Sequence, residues 1–466
     1  MALLEAKNLV KRYGAAAALD GVSMRVEAGE TVGVVGENGA GKSTFVHILS
    51  GAVRADSGEI YFENRIVNFR SPREAAAAGI GIVHQHEALI PKFSISENLA
   101  LAAPLAAFPK KSLLRRHALE LYERYGLNPG DPDTPCDALS VGARQRVEIL
   151  KSLATPKKLL LLDEPTAALA PSEIAEFLTI VERLRASGVS LVLVDHKLHE
   201  VLSVCSRVVV LRRGKVVTEV DATQTNANDL SAAMVGHPIS RPARPRNIQL
   251  DEILLSVENV SAASTTGSVA LDHIQLTVSR GEIVGIAGVD GNGQTELIEA
   301  LLKLRKLSSG RIIAKSIAAI PPDRHAEGLV LDFGIGENLL LDNDVLNKTA
   351  PRGFLTKDAV AQLAQDAIVQ FKIRAASPAA PLRSLSGGNQ QKVAAARAFL
   401  RKPDVLLAAH ATRGLDVDAA AAVQNEILAF AERGGSVVFI SADLDEIVNM
   451  CHRMFVISRG RLIGPF

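Results

Sequence analysis

The chain of 466 residues contains an internal repeat, and this repeat limits the possible folds more than any other feature. The segment LDGVSMRVEAGETVGVVGENGAGKST begins at Leu19 and returns as LDHIQLTVSRGEIVGIAGVDGNGQTE at Leu271, 252 residues later. Two further pairs, LSVGARQRV with LSGGNQQKV and CSRVVVLRRGK with CHRMFVISRGR, are each 246 residues apart. A nearly constant spacing across several markers predicts two copies of one domain.

The segment between the two copies reads as a linker. It contains GHPISRPARPRN, which is rich in proline and has no apolar period. We therefore predict a first domain at residues 1–236, a linker at 237–251 and a second domain at 252–466. Within each copy, β-branched apolar runs alternate with helical patterns, which predicts an α/β fold with a parallel sheet. Residues 94–152 read mostly as helix and predict an inserted helical subdomain.

Composition and charge exclude several classes of protein. Lys plus Arg is 52 and Asp plus Glu is 51, so the net charge is +1 and we expect no nucleic-acid partner bound through a basic face. The chain has no Trp and only 4% aromatic residues, which disfavours base-stacking platforms. No apolar run reaches the roughly 20 residues of a spanning helix. Three cysteines in a chain of this length suit a reducing compartment.

A phosphate-binding loop is the clearest chemical motif of the first copy. The sequence GENGAGKS fits G-x-x-x-x-G-K-[ST], and it follows an apolar strand and precedes a helix. Its glycines let successive N–H groups point at phosphates, while Lys42 reaches the terminal phosphates and Ser43 ligates Mg²⁺. A glycine turn with a surface lysine is the alternative. The predicted ATP-binding residues of this loop are Gly36, Glu37, Asn38, Gly39, Ala40, Gly41, Lys42, Ser43 and Thr44.

Two carboxylates end an apolar strand further along the first copy. In LLLLDEP, Asp163 stands at the strand end, where an aspartate suits holding Mg²⁺. Glu164 is placed to accept a proton from an attacking water. Many strands end this way, so the assignment depends on the position of the pair, shortly after LSVGA.

These motifs together resemble an ATP-binding cassette ATPase. The resemblance rests on GENGAGKST, GIVHQHEAL, LSVGARQRV, LLLLDEPTAAL and LVLVDHKLHE, and it covers essentially the whole chain. It implies two tandem P-loop cassette domains, each with a RecA-like α/β core and a helical subdomain, with ATP and Mg²⁺ as cofactors. It also implies that Tyr13 stacks on adenine, that Gln85 senses Mg²⁺ and couples to a membrane partner, and that His196 contacts the γ-phosphate. A strand-end aromatic and a core histidine are the alternatives for Tyr13 and His196.

The second copy lacks the residues that the reaction needs. Gln294 stands at the position of Lys42, and the matches of Asp163, Glu164 and His196 are Ala409, His410 and Ala442. A site without these groups is not expected to hydrolyse ATP at a useful rate.

The signature motif shows the opposite asymmetry. It is intact as LSGGNQ in the second copy and altered to LSVGA in the first. The resemblance implies that the two halves pair head to tail within the chain, so that one catalytic site forms from the first P-loop and the second signature. The signature residues predicted to bind ATP are Ser386, Gly387, Gly388 and Gln390. A second copy that serves only as a folding scaffold is the alternative.

The tandem arrangement resembles the ATPase subunits of bacterial carbohydrate-type importers. The segments VHQH and LSVGxRQRVEILKSL are closer to the nucleoside importers than to the ribose or galactose importers. The resemblance implies two membrane permease subunits and an extracellular substrate-binding lipoprotein as partners, and a peripheral location at the cytoplasmic face of the cell membrane. The first alternative is the same ATPase serving an importer of simple sugars such as ribose or galactose. Two others are a soluble tandem cassette acting as a conformational switch on ribosomes or DNA, and a P-loop kinase.

Overall fold

The chain divides into two compact units, residues Met1–Ile239 and Ser240–Phe466. The computed structural model describes the chain except residues 1, 15, 85–87, 104–108, 167–168, 170, 238–243, 245–248, 264–268, 289–290, 351–352 and 416, and the side chains of 171–172, 249–251 and 269. Each unit is a mixed α/β structure, which confirms the predicted fold class. The predicted boundaries at 236 and 252 remain predictions.

The first unit contains two sheets. One is a four-stranded antiparallel sheet in the order β2-β1-β4-β5, and the other is a six-stranded sheet in the order β10-β9-β3-β8-β7-β6. The strands are β1 Ala2–Tyr13, β2 Ala16–Glu27, β3 Thr31–Val35, β4 Ser57–Phe62, β5 Arg65–Val67, β6 Ile80–Val83, β7 Leu159–Asp163, β8 Ser190–Val194, β9 Arg207–Arg212 and β10 Lys215–Asp221. The helices are α1 Lys42–Leu49, α2 Pro72–Ala78, α3 Ile95–Ala100, α4 Lys111–Tyr125, α5 Val141–Ser152, α6 Pro171–Ala186, α7 Leu198–Val204 and α8 Ala227–Val235.

The parallel strands β3, β7 and β8 form the centre of the larger sheet. Every residue of these three strands is buried. Alternate residues of the strands share one apolar cluster with helix α1 and the antiparallel sheet, and helices α6 and α7 also contact the strands. Their carboxyl ends lie at one edge, which is where open α/β sheets bind ligands. Helices α3, α4 and α5 pack together between β6 and β7 in the chain, which confirms the helical subdomain.

The second unit repeats this architecture. Its sheets have the orders β12-β11-β14 and β15-β16-β17-β13-β18-β19, and the second order matches the larger sheet of the first unit strand for strand. The strands are β11 Gln249–Ala263, β12 Val269–Arg280, β13 Ile283–Ala287, β14 Ser309–Ala314, β15 Ile317–Ile320, β16 Val405–Ala409, β17 Ser436–Ser441, β18 Arg453–Ser458 and β19 Arg461–Ile463. The helices are α9 Gln294–Leu301, α10 Ile335–Leu339, α11 Asn343–Thr349, α12 Lys357–Gln370, α13 Gly387–Leu400, α14 Val417–Glu432 and α15 Leu444–Met450.

None of the described helices combines the length and the apolar character that are needed to cross a membrane.

Candidate ATP site

The phosphate-binding loop connects the buried strand β3 to helix α1. Two of its glycines, Gly39 and Gly41, have φ angles of 82° and 108°, which other residues rarely adopt. A Cβ atom on Gly41 would lie 2.4 Å from the carbonyl oxygen of Ala18, so this position also requires the absence of a side chain. The loop therefore has the tight turn that lets backbone N–H groups face an anion.

Lys42 is buried at the start of α1, with its ammonium inside the loop. Its Nζ donates to the carbonyl oxygens of Gly36 (2.7 Å) and Glu37 (3.1 Å). The ammonium is thus held beside the anion-binding amides by weak acceptors, which phosphate oxygens can replace with stronger charge-assisted bonds.

Ser43 and Asp163 come together across the sheet edge, as the sequence predicts. The Ser43 hydroxyl donates to Asp163 Oδ1 over 3.4 Å. Burial raises the pKa of Asp163, while the bond from Ser43 opposes that shift and the charge of Glu164 adds to it. A hydroxyl and a carboxylate oxygen are the hard ligands that suit Mg²⁺, which takes its other ligands from water and phosphate.

Glu164 and His196 form the second pair at this edge. Glu164 has a φ angle of 47°, and its N–H donates to the carbonyl oxygen of Val194 at the end of β8. His196 Nδ1 lies 3.8 Å from Glu164 Oε1. This interaction raises the pKa of His196 against the opposing effect of burial, and it lowers the pKa of Glu164. The carboxylate is therefore ionised at neutral pH, as a proton acceptor must be.

A buried carboxylate that the sequence reasoning missed stands next to His196. Asp195 is 1% exposed, and its Oδ1 accepts from the N–H groups of His196 (2.7 Å) and Lys197 (3.0 Å). Its Oδ2 accepts from Thr166 Oγ1 over 3.0 Å. Asp195 therefore links the turn at His196 and Lys197 to Thr166, which follows Glu164 in the chain. The available signal was its position directly after a buried strand.

Two further predicted residues of the first copy are Tyr13 and Gln85. Tyr13 ends β1 and is 52% exposed, with Lys11 Nζ 5.6 Å from its ring centroid. An exposed ring of this kind is open to stacking by a planar base. The predicted role of Gln85 lies outside the described residues.

The second unit keeps the backbone of the site without its chemistry. His410 has a φ angle of 46°, and its N–H donates to the carbonyl oxygen of Ile440, so it repeats the local geometry of Glu164. The neighbouring Ala409 ends β16 where Asp163 ends β7. The fold therefore places an imidazole and a methyl group where the first unit has two carboxylates.

The intact signature begins helix α13. Ser386 is the N-cap residue, and its Oγ accepts from Asn389 Nδ2 over 2.8 Å. Gln390 is buried, and its Nε2 donates to the carbonyl oxygens of Leu382 (3.0 Å) and Leu385 (3.3 Å). Its Oε1 lies 2.9 Å from His325 Nε2. The amide thus holds the signature loop in shape, and its contact with ATP remains a prediction.

The sequence matches the ABC transporter family at residues 19–167 and again at 271–413. The chain belongs to the ABC transporter family. It is an ATPase of this family, and ATP binding follows from the two matched cassettes and from the P-loop described above.

Curated relatives within the ABC family align along nearly the whole chain. The nucleoside import ATP-binding protein NupA of Lactococcus lactis is 37% identical, covering 98% of this chain and 94% of that protein. The guanosine import ATP-binding protein NupO of Bacillus subtilis is 38% identical, covering 99% and 94%. The ribose import ATP-binding protein RbsA of Chromobacterium violaceum is 35% identical, covering 99% and 94%.

A solved structure also aligns along nearly the whole chain. It is the archaeal ribosome recycling factor aABCE1, solved with the ribosomal stalk protein aP1, with a TM-score of 0.69. The match covers 98% of this chain and 90% of that chain at 21% sequence identity, so it supports the tandem cassette fold and nothing further.

Proposed function

We propose that the chain is the ATP-hydrolysing subunit of a bacterial membrane importer, and that the imported solute is a nucleoside. The observation that carries the solute class is the full-length similarity to NupA and NupO, whose names specify nucleoside and guanosine import. Import of a simple sugar such as ribose is the second candidate, because RbsA is 35% identical over the same length.

The first unit supplies the groups that bind and activate ATP. The loop amides and Lys42 bind the phosphates, and the exposed ring of Tyr13 stacks on the adenine. Ser43 and Asp163 would hold Mg²⁺, which when bound neutralises charge on the phosphates. Glu164 accepts a proton from the attacking water, and His196 beside it contacts the γ-phosphate. Gln85 is proposed to sense the metal site and the membrane partner.

One catalytic site per chain is the arrangement that we propose. The second unit has Gln294, Ala409 and His410 at the positions of the lysine and the two carboxylates. Its signature is intact, so Ser386, Gly387 and Gly388 would complete the site that is built on the first P-loop. By family resemblance, two permease subunits and an extracellular substrate-binding lipoprotein are the proposed partners, at the cytoplasmic face of the membrane.

Uptake measurements test the proposed function. Cells that carry only the Glu164→Gln protein are compared with wild-type cells for uptake of labelled nucleosides and labelled simple sugars. We expect nucleoside uptake to be lost and sugar uptake to be unchanged. Loss of sugar uptake alone would replace the nucleoside by a sugar. Unchanged uptake of both would contradict the importer proposal for these solutes.

A further inference from the structure

A carboxylate of the first unit lies on that unit's own altered signature. Gly142 is in the first turn of α5, and its N–H donates to Glu173 Oε1 over 3.1 Å. A Cβ atom on Gly142 would lie 2.5 Å from the same oxygen, so the carboxylate sits directly against the helix start. The N–H groups of a first helical turn and the helix dipole attract one anion, and here Glu173 provides it.

The second unit has a methyl group at the equivalent place. Gly388 and Ala419 stand 246 residues after Gly142 and Glu173. A Cβ atom on Gly388 would lie 2.7 Å from the Cβ atom of Ala419, so residue 419 faces the second signature as residue 173 faces the first. Because a methyl group cannot accept a hydrogen bond, the intact signature has no carboxylate from this position.

In the P-loop of the second unit, a side-chain oxygen also accepts a hydrogen bond from a backbone N–H. The side chain of Gln294 is 4% exposed, and its Oε1 accepts from the N–H of Asn292 over 3.0 Å. This amide belongs to the loop whose N–H groups face phosphates in a functional P-loop. Lys42, at the matching position of the first unit, has no acceptor atom and donates to carbonyl oxygens instead.

We infer that Glu173 and Gln294 act as internal substitutes for phosphate oxygens. They keep the first signature and the second P-loop from binding nucleotide, so the chain binds one ATP. The inference rests on the proposed function in one respect, namely that phosphates are bound by a P-loop and a signature. A phosphate that approached the first signature would meet the negative charge of Glu173, and one that entered the second P-loop would meet no lysine.

The first test counts the ATP bound by the purified full chain. Equilibrium dialysis with labelled ATP and Mg²⁺ is expected to give one equivalent for the wild type and two for the double variant Glu173→Ala, Gln294→Lys. Lys42→Ala is expected to bind none. Two equivalents in the wild type, or one in the double variant, would overturn the inference.

The second test moves the carboxylate to the intact signature. Ala419→Glu is expected to weaken ATP binding and to slow ATP hydrolysis, each by at least about tenfold, through repulsion of the γ-phosphate. The control is Glu176→Ala on the same helix as Glu173, because Glu176 is 56% exposed and pairs with Arg146. We expect that variant to hydrolyse ATP like wild type. Wild-type hydrolysis by Ala419→Glu would overturn the role of the carboxylate.

The two proposals fail in different ways. If Lys42→Ala still binds one equivalent of ATP, the proposed site on the first P-loop is wrong. If Lys42→Ala binds none and the double variant still binds one, only the inference about Glu173 and Gln294 is wrong.

Discussion

Replacing Glu164 by glutamine isolates the chemical step from nucleotide binding. The two side chains are nearly the same size, and the N–H bond to Val194 does not depend on the side chain. The change removes the only proton acceptor that the proposal places beside the attacking water. Lys42, Ser43 and the loop amides stay in place, so the phosphate-binding groups are preserved.

The size of the effect follows from the environment of the carboxylate. A positioned general base contributes roughly 10²- to 10⁴-fold to a rate. Because His196 lowers the pKa of Glu164, the carboxylate is a weaker base than usual, and we expect the lower half of that range. The predicted loss in kcat is therefore about 100- to 1000-fold, or about 3 to 4 kcal/mol of barrier. Removing a negative charge near the phosphates predicts equal or tighter ATP binding.

Single-turnover phosphate release and a fluorescent ATP titration measure the two quantities separately. The matched control is His410→Gln, because His410 has the same backbone geometry in the second unit. We expect the control to hydrolyse ATP within about twofold of wild type. Retention of more than a tenth of the activity by Glu164→Gln, or loss of ATP binding in that variant, would refute the reasoning.

Three further predictions concern strain, charge and thiol reactivity. Gly41→Ala is expected to cost about 1–3 kcal/mol of stability at its positive φ, and to weaken ATP binding in a fluorescent titration; wild-type affinity would contradict this. The charge pair of Glu164 and His196 is expected to stabilise the nucleotide-free fold fully between their ordinary pKa values of 4.5 and 6.5. The stabilisation declines as the pH falls through the lowered pKa of Glu164 or rises through the raised pKa of His196. Urea unfolding of wild type and Glu164→Gln from well below pH 4.5 to well above pH 6.5 tests this, and a difference in stability that does not change over that whole range would contradict it. Burial raises the pKa of the thiols of Cys205 and Cys451 to about 12, and all three cysteines are buried. A thiol reagent at pH 8 should therefore react with them only after unfolding, and rapid labelling of the folded chain would contradict this.

The fold could be predicted because its signals are local and repeated, and the roles of the first-unit site residues remain predictions. The P-loop, the Asp163–Glu164 strand end and the His196 turn each follow an apolar strand, and parallel strands bring their carboxyl ends to one edge. The position of Ser43 just after the P-loop and of Asp163 at a strand end was therefore enough to predict that the two residues lie at one site, and their side chains are in contact.

The contacts that sequence reasoning missed depend on packing between segments. Glu173 reads as an ordinary first-turn acid of α6, and only the packing of α6 against α5 brings it to Gly142. In the sequence, Asp195 is only a polar residue that follows a strand, and its hydrogen bond from Thr166 is seen only in the folded structure. The sequence showed that Gln294 removes a positive charge, but its bond from the N–H of Asn292 depends on how the loop folds.

The measurement that tests the central claim most directly compares ATP hydrolysis by Lys42→Ala and Gln294→Ala. The two residues occupy equivalent loop positions, and both are buried. A single site on the first P-loop predicts that Lys42→Ala loses at least about 100-fold in hydrolysis, while Gln294→Ala stays within about twofold of wild type. Equal damage from the two substitutions would contradict the one-site account.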